Sequence, residues 1–173
     1  IDAEVFDIDT STAQPGPSGV TYAAFREQYH LVANVDNLVE RPFYLPRLAT
    51  ESLTTINPAQ TTVVENSTIG VSVSIAPGNA TNDSDGTPFT GQVSISEVPR
   101  DLAPANLPEF IDPNLLFTVQ PVGVSYTTPA PITLVNNEGY AADSEVDIWS
   151  VDPDLGQFVI VGTGKVSSDG LTI

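Results

Sequence analysis

The residues best placed to do chemistry are acids in two short loops. In "NATNDSDGT" (Asn79 to Thr87), Asp83 and Asp85 precede Gly86 in the D-x-D-G order that opens an EF-hand calcium loop. Calcium wants roughly six to eight oxygens from carboxylates, carbonyls and water, and Asp83 and Asp85 are the candidate metal ligands. The match is partial. Thr81 stands where a preceding acid belongs, and the place of the bidentate glutamate falls at Gln92. Asp-Gly in a loop is also an ordinary turn signal. The second acidic knot, Asp152-Pro153-Asp154-Leu155-Gly156, sits between two apolar runs and beside Trp149, the sole tryptophan. Asp and Pro favour turn starts and Gly tolerates positive φ, so this knot reads first as a hairpin turn and only second as a calcium loop.

Other chemistries lack their parts. Ser–His–acid catalysis requires a histidine, and His30 is the only one, on the polar side of an alternating segment. Without cysteine there is no disulfide and no thiolate metal site, and one histidine does not make a zinc site of the usual kind. Paired carboxylates for glycoside cleavage are compositionally available, but no pair stands out. No catalytic residue is assigned, no cofactor is expected beyond calcium, and the chain reads as a non-enzyme. Lys165, the only lysine, invites comparison with the buried Lys–Asn cross-links of some bacterial surface domains, with Asn136, Asn137, Glu138 or Glu145 as partners. A solvent-facing lysine is the simpler expectation. Asn66, Asn79 and Asn82 each begin an Asn-x-Ser/Thr triplet, read here as a by-product of a Ser/Thr-rich composition.

Charge narrows the partners. The chain of 173 residues carries 22 acids against 5 Lys+Arg, a formal net charge of −17. Such a surface repels phosphate backbones and anionic headgroups, so neither nucleic acid nor membrane is expected as a partner. No stretch approaches the roughly 18 apolar residues of a membrane helix. There is no methionine even at position 1, so the sequence reads as a processed chain or an excised piece. Any export signal would have been lost ahead of it.

These loops must be carried by strands. With 12 Gly, 15 Pro and abundant Thr, Ser and Val, the chain reads as strands and turns, with little or no helix. Alternation marks strands at residues 1–7, from Phe25 to about Asp36, at 71–75, and returning at 92–98. Further strands are expected at 115–120, 132–135, 146–151 and 158–161, with 164–173 adding one more. Pro42 and Pro46 place residues 39–48 at a sheet edge. The polar, Thr-rich residues 49–62 read as a boundary between two units, 1–48 and 49–173. Proline-rich residues 99–113 read as an irregular surface loop. Only Ala23–Glu27 has any helical leaning. Strands at roughly ten-residue spacing predict an all-β antiparallel sandwich of Ig-like or prealbumin-like type.

Three stretches carry a family likeness: "PFTGQVSISEVP" (Pro88 to Pro99), "LLFTVQPVGVSYTTPAPITLVN" (Leu115 to Asn136) and "SEVDIWSVDPDLGQFVIVGTGKVSSDG" (Ser144 to Gly170). They resemble a β-sandwich module of very large bacterial surface or secreted proteins, where it lies beside Ig-like, carboxypeptidase-regulatory-like or RHS repeats. "VDNLVERPFYLPRL" (Val35 to Leu48) is similar to the closing strands of a prealbumin-like carboxypeptidase-regulatory domain. Some distant relatives of the module cut themselves at His-Phe-Ser. Here His30 is followed by Leu31, so self-cleavage is not implied.

The resemblance implies a noncatalytic, extracellular or cell-surface structural role: stalk, adhesin segment or filament subunit. Its expected partners are other β-domains of the same or neighbouring subunits, as a homo-oligomer or filament. Residues 1–48 would then be the end of a prealbumin-like unit or a donor-strand arm, with Ile1, Ala3 and Val5 on one face. The alternative is a domain that binds calcium or carbohydrate through loops 79–87 and 99–113.

Overall fold

The structure, a computed structural model, describes residues 2–8, 20–38, 44–152 and 155–173, with 2–8 and 25–30 described by their backbone alone. The described chain is nearly all β, as an antiparallel sandwich. In chain order the strands are β1 (Asp2–Ile8), β2 (Phe25–Leu31), β3 (Thr54–Thr55), β4 (Thr62–Asn66), β5 (Val71–Ile75) and β6 (Ala80–Asn82). They continue with β7 (Gln92–Glu97), β8 (Phe117–Gln120), β9 (Val124–Tyr126), β10 (Ile132–Leu134), β11 (Glu145–Asp152) and β12 (Gln157–Lys165). Single 3-10 turns at Thr50–Ser52 and Arg100–Leu102 are the only helical pieces among the described residues.

Two three-stranded sheets, ordered β10-β5-β4 and β3-β7-β8, face each other. The pleat of β5 turns Val71, Val73 and Ile75 inward and leaves Ser72 and Ser74 half-buried. Val64 of β4 and Val93 and Ile95 of β7 meet them, and Ile56 and Ala80 close the ends of this core. Fully burying such branched side chains contributes about 1.5–3 kcal/mol each relative to leaving them in water. Residues 92–98 are therefore not the hairpin partner of 71–75: they cross to the opposite sheet. Connection 76–91 is long enough to make that crossing, and it carries β6, which pairs with β9.

The C-terminus completes the first sheet. Leu134 exchanges backbone hydrogen bonds with Ile173 (2.9 and 2.8 Å), so the last residues run along the outer edge of β10. The turn into β5 requires Gly70, which has φ +66; a Cβ there would lie 2.6 Å from a methyl of Val135.

On β7 the alternation disappears, because Val93, Ser94, Ile95 and Ser96 are all buried. A third layer covers the outer face. Tyr22 and Arg47 form an antiparallel bridge, with Ala23 N donating to Pro46 O and Leu48 N to Thr21 O, each at 2.9 Å. This pair lies against β7 and β8: Ala49 N donates to Ser96 Oγ at 2.9 Å, and Ala24 is held by the Gln120 side chain. Ala23 and Ala24 are buried, small enough to let one backbone approach another. The helical leaning of 23–27 is overridden by this bridge and by β2.

Residues 49–62 are structured rather than a loose connection. The buried Ser52 hydroxyl lies 2.8 Å from Ala49 O and 3.0 Å from Ile95 O, and accepts from Ile95 N at 2.9 Å. Strand β2 ends at Leu31 instead of reaching Asp36. Asn34 takes φ 63, and Asn37 grips both Val32 N (2.8 Å) and Val32 O (3.0 Å), which turns the chain out of the ladder. β2 pairs antiparallel with β1, from Asp2 opposite Leu31 to Ile8 opposite Phe25.

Candidate functional site

The loop of Asp83 and Asp85 is the tip of a hairpin. Thr81 bridges Pro88, Asn82 N donates to Thr87 O at 2.9 Å, and Gly86 N donates to Asn82 O at 2.8 Å, with Gly86 at φ +69. Within this tip both carboxylates already have donors. Asp85 Oδ1 accepts from Thr87 N (2.9 Å) and Thr87 Oγ1 (2.7 Å), and these bonds hold its pKa below the usual aspartate value. Asp83 accepts from the Ser125 hydroxyl of β9. Among the described residues no group of three or more His, Asp or Glu gathers to hold a metal ion. The two acids thus share a loop, where Asp85 tightens the turn and Asp83 ties it to β9.

The other polar residues singled out by sequence are also braces. Asp152 Oδ1 accepts from Leu155 N at 3.1 Å, Asp152 O accepts from Gly156 N at 2.9 Å, and Gly156 has φ 62, as a hairpin turn needs. Pro153 and Asp154 lie outside the described residues. Lys165 Nζ pairs with Asp143 at 3.2 Å, both side chains exposed. Asn136, its suggested cross-link partner, instead donates to Tyr140 O and Gly170 O and accepts from Tyr140 N. Asn66 is buried, donating to Ile95 O at 2.8 Å and accepting from Thr68 N. Asn79, also buried, donates to Thr128 O at 3.0 Å and accepts from Thr128 N at 2.8 Å. A glycan at either nitrogen would replace a buried hydrogen bond. His30 sits in β2 opposite Ala3.

A concave feature among the described residues lies elsewhere. β11 and β12 form a long two-stranded hairpin with a register shift at Ile148/Trp149. Proline-rich residues 99–113 run across it as a strap. Ala103 and Ala105 of the strap and Phe158 of β12 are buried together, with Leu107, Leu116, Trp149 and Val151 packed against them. This second core settles Trp149, which strand alternation leaves open: the ring is half-buried, with the edge of Phe110 at a centroid distance of 6.0 Å. Arg100 pairs with Asp112 near the two ends of the strap.

Strap and hairpin do not close completely on the sandwich. A cleft of about 440 Å³ opens between Leu107 and Ile111 of the strap, Val146, Ile148 and Trp149 of β11, and Phe117 of β8. A smaller cavity of about 220 Å³ shares Leu116, Phe117, Trp149 and Phe158 with it. Sequence reading marked residues 99–113 as a possible ligand loop but missed the cleft. Its signal was Leu107, Phe110 and Ile111, three large apolar residues in a stretch read as a surface crossing.

No family model, curated protein or solved structure matches the chain. Among the described residues no helix is long and apolar enough to cross a membrane.

Proposed function

We propose that the chain is a noncatalytic structural module of a bacterial surface protein, extracellular and working as a stalk, adhesin segment or filament subunit. One observation carries this reading. The segment leading into the sandwich is fastened to it by a two-point clamp, Gln120 Nε2 to Ala24 O (2.9 Å) and Ala24 N to Gln120 Oε1 (3.1 Å), both buried. A module strung in a long surface protein must pass tension from its entry strand into its core. A side chain that imitates a β-ladder partner does this without a continuous strand. The sequence likeness to surface-protein sandwich modules supports the same role.

The β1–β2 ladder supports assembly with neighbouring β-domains. Among the described residues no third strand joins it, and two strands alone are marginal in water. A neighbour's strand on its outer edge would add backbone hydrogen bonds. β1 itself is paired with β2 within the chain, so in this reading the hairpin offers its edge to a neighbour's strand rather than supplying a free arm.

Pulling the chain between two marker domains tests the module reading. A single release of residues 20–173 is expected. Early, low-force release of residues 20–49 would defeat it. Light scattering at rising concentration tests assembly, with growth beyond the monomer as the expected outcome.

A further inference from the structure

The geometry points to a peptide-binding function for the cleft beneath the strap, with a basic segment bearing an aromatic side chain as its occupant. This goes beyond the stalk reading and does not depend on it. Three features converge on that chemistry. The walls are apolar and aromatic, and about 440 Å³ falls within the range of sites that take small ligands or one or two side chains. The mouth is acidic: Glu97, Glu138 and Asp147 all line the cleft and are exposed, while no Lys, Arg or His lines it among the described residues. Lastly, large side chains at or beside the cleft are exposed: Tyr140 lines it, and Phe110 touches Trp149 from outside the lining. Phe110 is 79% exposed while its ring meets Trp149, and Tyr140 is 44% exposed.

Each feature selects against alternatives. An acidic peptide or a phosphate group would meet three carboxylates on a chain of net charge −17. A guanidinium finds the reverse, with carboxylates for its N–H groups and the Trp149 and Tyr140 rings for its face. An apolar side chain between two such cations would enter past Leu107 and Ile111 and displace water from the walls. Asn114, the residue after the strap, donates to Glu138, and both line the cleft, so its opening is braced.

Trp149 is the only tryptophan and lines the cleft, so intrinsic fluorescence reads occupancy directly. The probe is the capped tripeptide Arg-Phe-Arg, with Glu-Phe-Glu and Arg-Ala-Arg as comparisons. A saturable spectral change with Arg-Phe-Arg alone, weakening as salt rises, is expected. The double variant Glu138→Gln/Asp147→Asn changes only exposed groups and should weaken binding by about threefold to tenfold. Filling the cleft with Ile148→Phe, which keeps Trp149 the sole reporter, should abolish the response to peptide; if that variant does not fold, the exposed double variant still decides. Three results would overturn the proposal: no saturation with Arg-Phe-Arg, equal binding of Glu-Phe-Glu, or equal binding of Arg-Ala-Arg. The first means an unoccupied packing gap, the second an apolar site indifferent to charge, and the third surface charge without insertion.

Discussion

Gln120 and Ala24, 96 positions apart, are joined by two hydrogen bonds in which one side-chain amide both accepts from and donates to a single residue's backbone. Gln120 Nε2 also donates to Thr118 Oγ1 at 2.9 Å, which fixes the orientation of the amide. Replacing Gln120 by Ala leaves the Ala24 N–H and C=O buried without these partners. A loss of about 2–4 kcal/mol is expected in urea unfolding, since each orphaned group costs about 1–3 kcal/mol. Hydrogen exchange should show the Ala24 amide losing protection first. An unchanged unfolding midpoint would mean that the clamp is incidental.

Two buried serines, Ser94 within β7 and Ser52 bonded to its Ile95 backbone, should respond in opposite directions. Ser94 Oγ is buried with no hydrogen-bond partner among the described residues. Ser94→Ala removes an unsatisfied hydroxyl at little cost in volume, so the protein should be equally stable or more stable by about 1 kcal/mol. Ser52→Ala deletes a hydroxyl that both accepts and donates, and should cost about 1–3 kcal/mol. Thermal melts of the pair check the contrast directly.

Asn79 should not tolerate its nearest relative. Its Oδ1 accepts from Thr127 Oγ1, Thr128 N and Thr128 Oγ1, while Nδ2 donates to Thr128 O. Asp keeps the acceptors but turns the one donor into a buried oxygen facing a carbonyl. Asn79→Asp is therefore expected to lose about 2–4 kcal/mol at pH 7. The loss should shrink on acidification, when the carboxyl regains a proton to donate. A melt that is insensitive to pH would refute this.

Acid should weaken two exposed turns, and alkali one half-buried phenol. Asp85 is held below the usual aspartate value by the Thr87 N–H and hydroxyl, and Asp169 by the Ser167 hydroxyl and the Leu171 N–H. A depressed folded pKa means that the unfolded chain takes up protons first. The stabilisation is present above the ordinary aspartate value, about 3.9, and disappears as pH falls through the folded values. Asp85→Asn and Asp169→Asn should each flatten this acid limb. Tyr126 is pushed up by burial, so its contribution is whole below the ordinary tyrosine value and is lost as pH rises through the folded one. Tyr126→Phe should remove that alkaline slope. Melting curves across pH read both limbs.

Calcium offers a direct check on Asp83 and Asp85. Their carboxylates accept hydrogen bonds from Ser125 and Thr87, and no third acid joins them among the described residues. Adding calcium to chelated protein should leave the melting temperature unchanged. A rise with calcium that is abolished by Asp83→Asn would establish the metal reading.

Much of the architecture was legible along the chain, because alternation is a local signal. Val71, Val73 and Ile75 against Ser72 and Ser74 specify a one-sided strand before any partner is known. Asp152 with Gly156 specifies a turn by the chemistry of two residues. The excess of acid over base, and the lack of cysteine, are fixed by composition alone. What only the tertiary structure decided are the relations between distant segments. β7 reads as an alternating strand, yet Ser94 and Ser96 are buried because residues 20–24 and 44–49 lie over them. The 92–98 strand reads as a returning hairpin arm, yet it lies in the opposite sheet. The strap reads as a loop in water, yet Ala103 and Ala105 pack on Phe158, and Trp149 finds its surroundings there. Periodicity reports which side of a strand is apolar. It carries no information about which surface arrives to cover that side, because the covering free energy depends on shapes brought together from opposite ends of the chain.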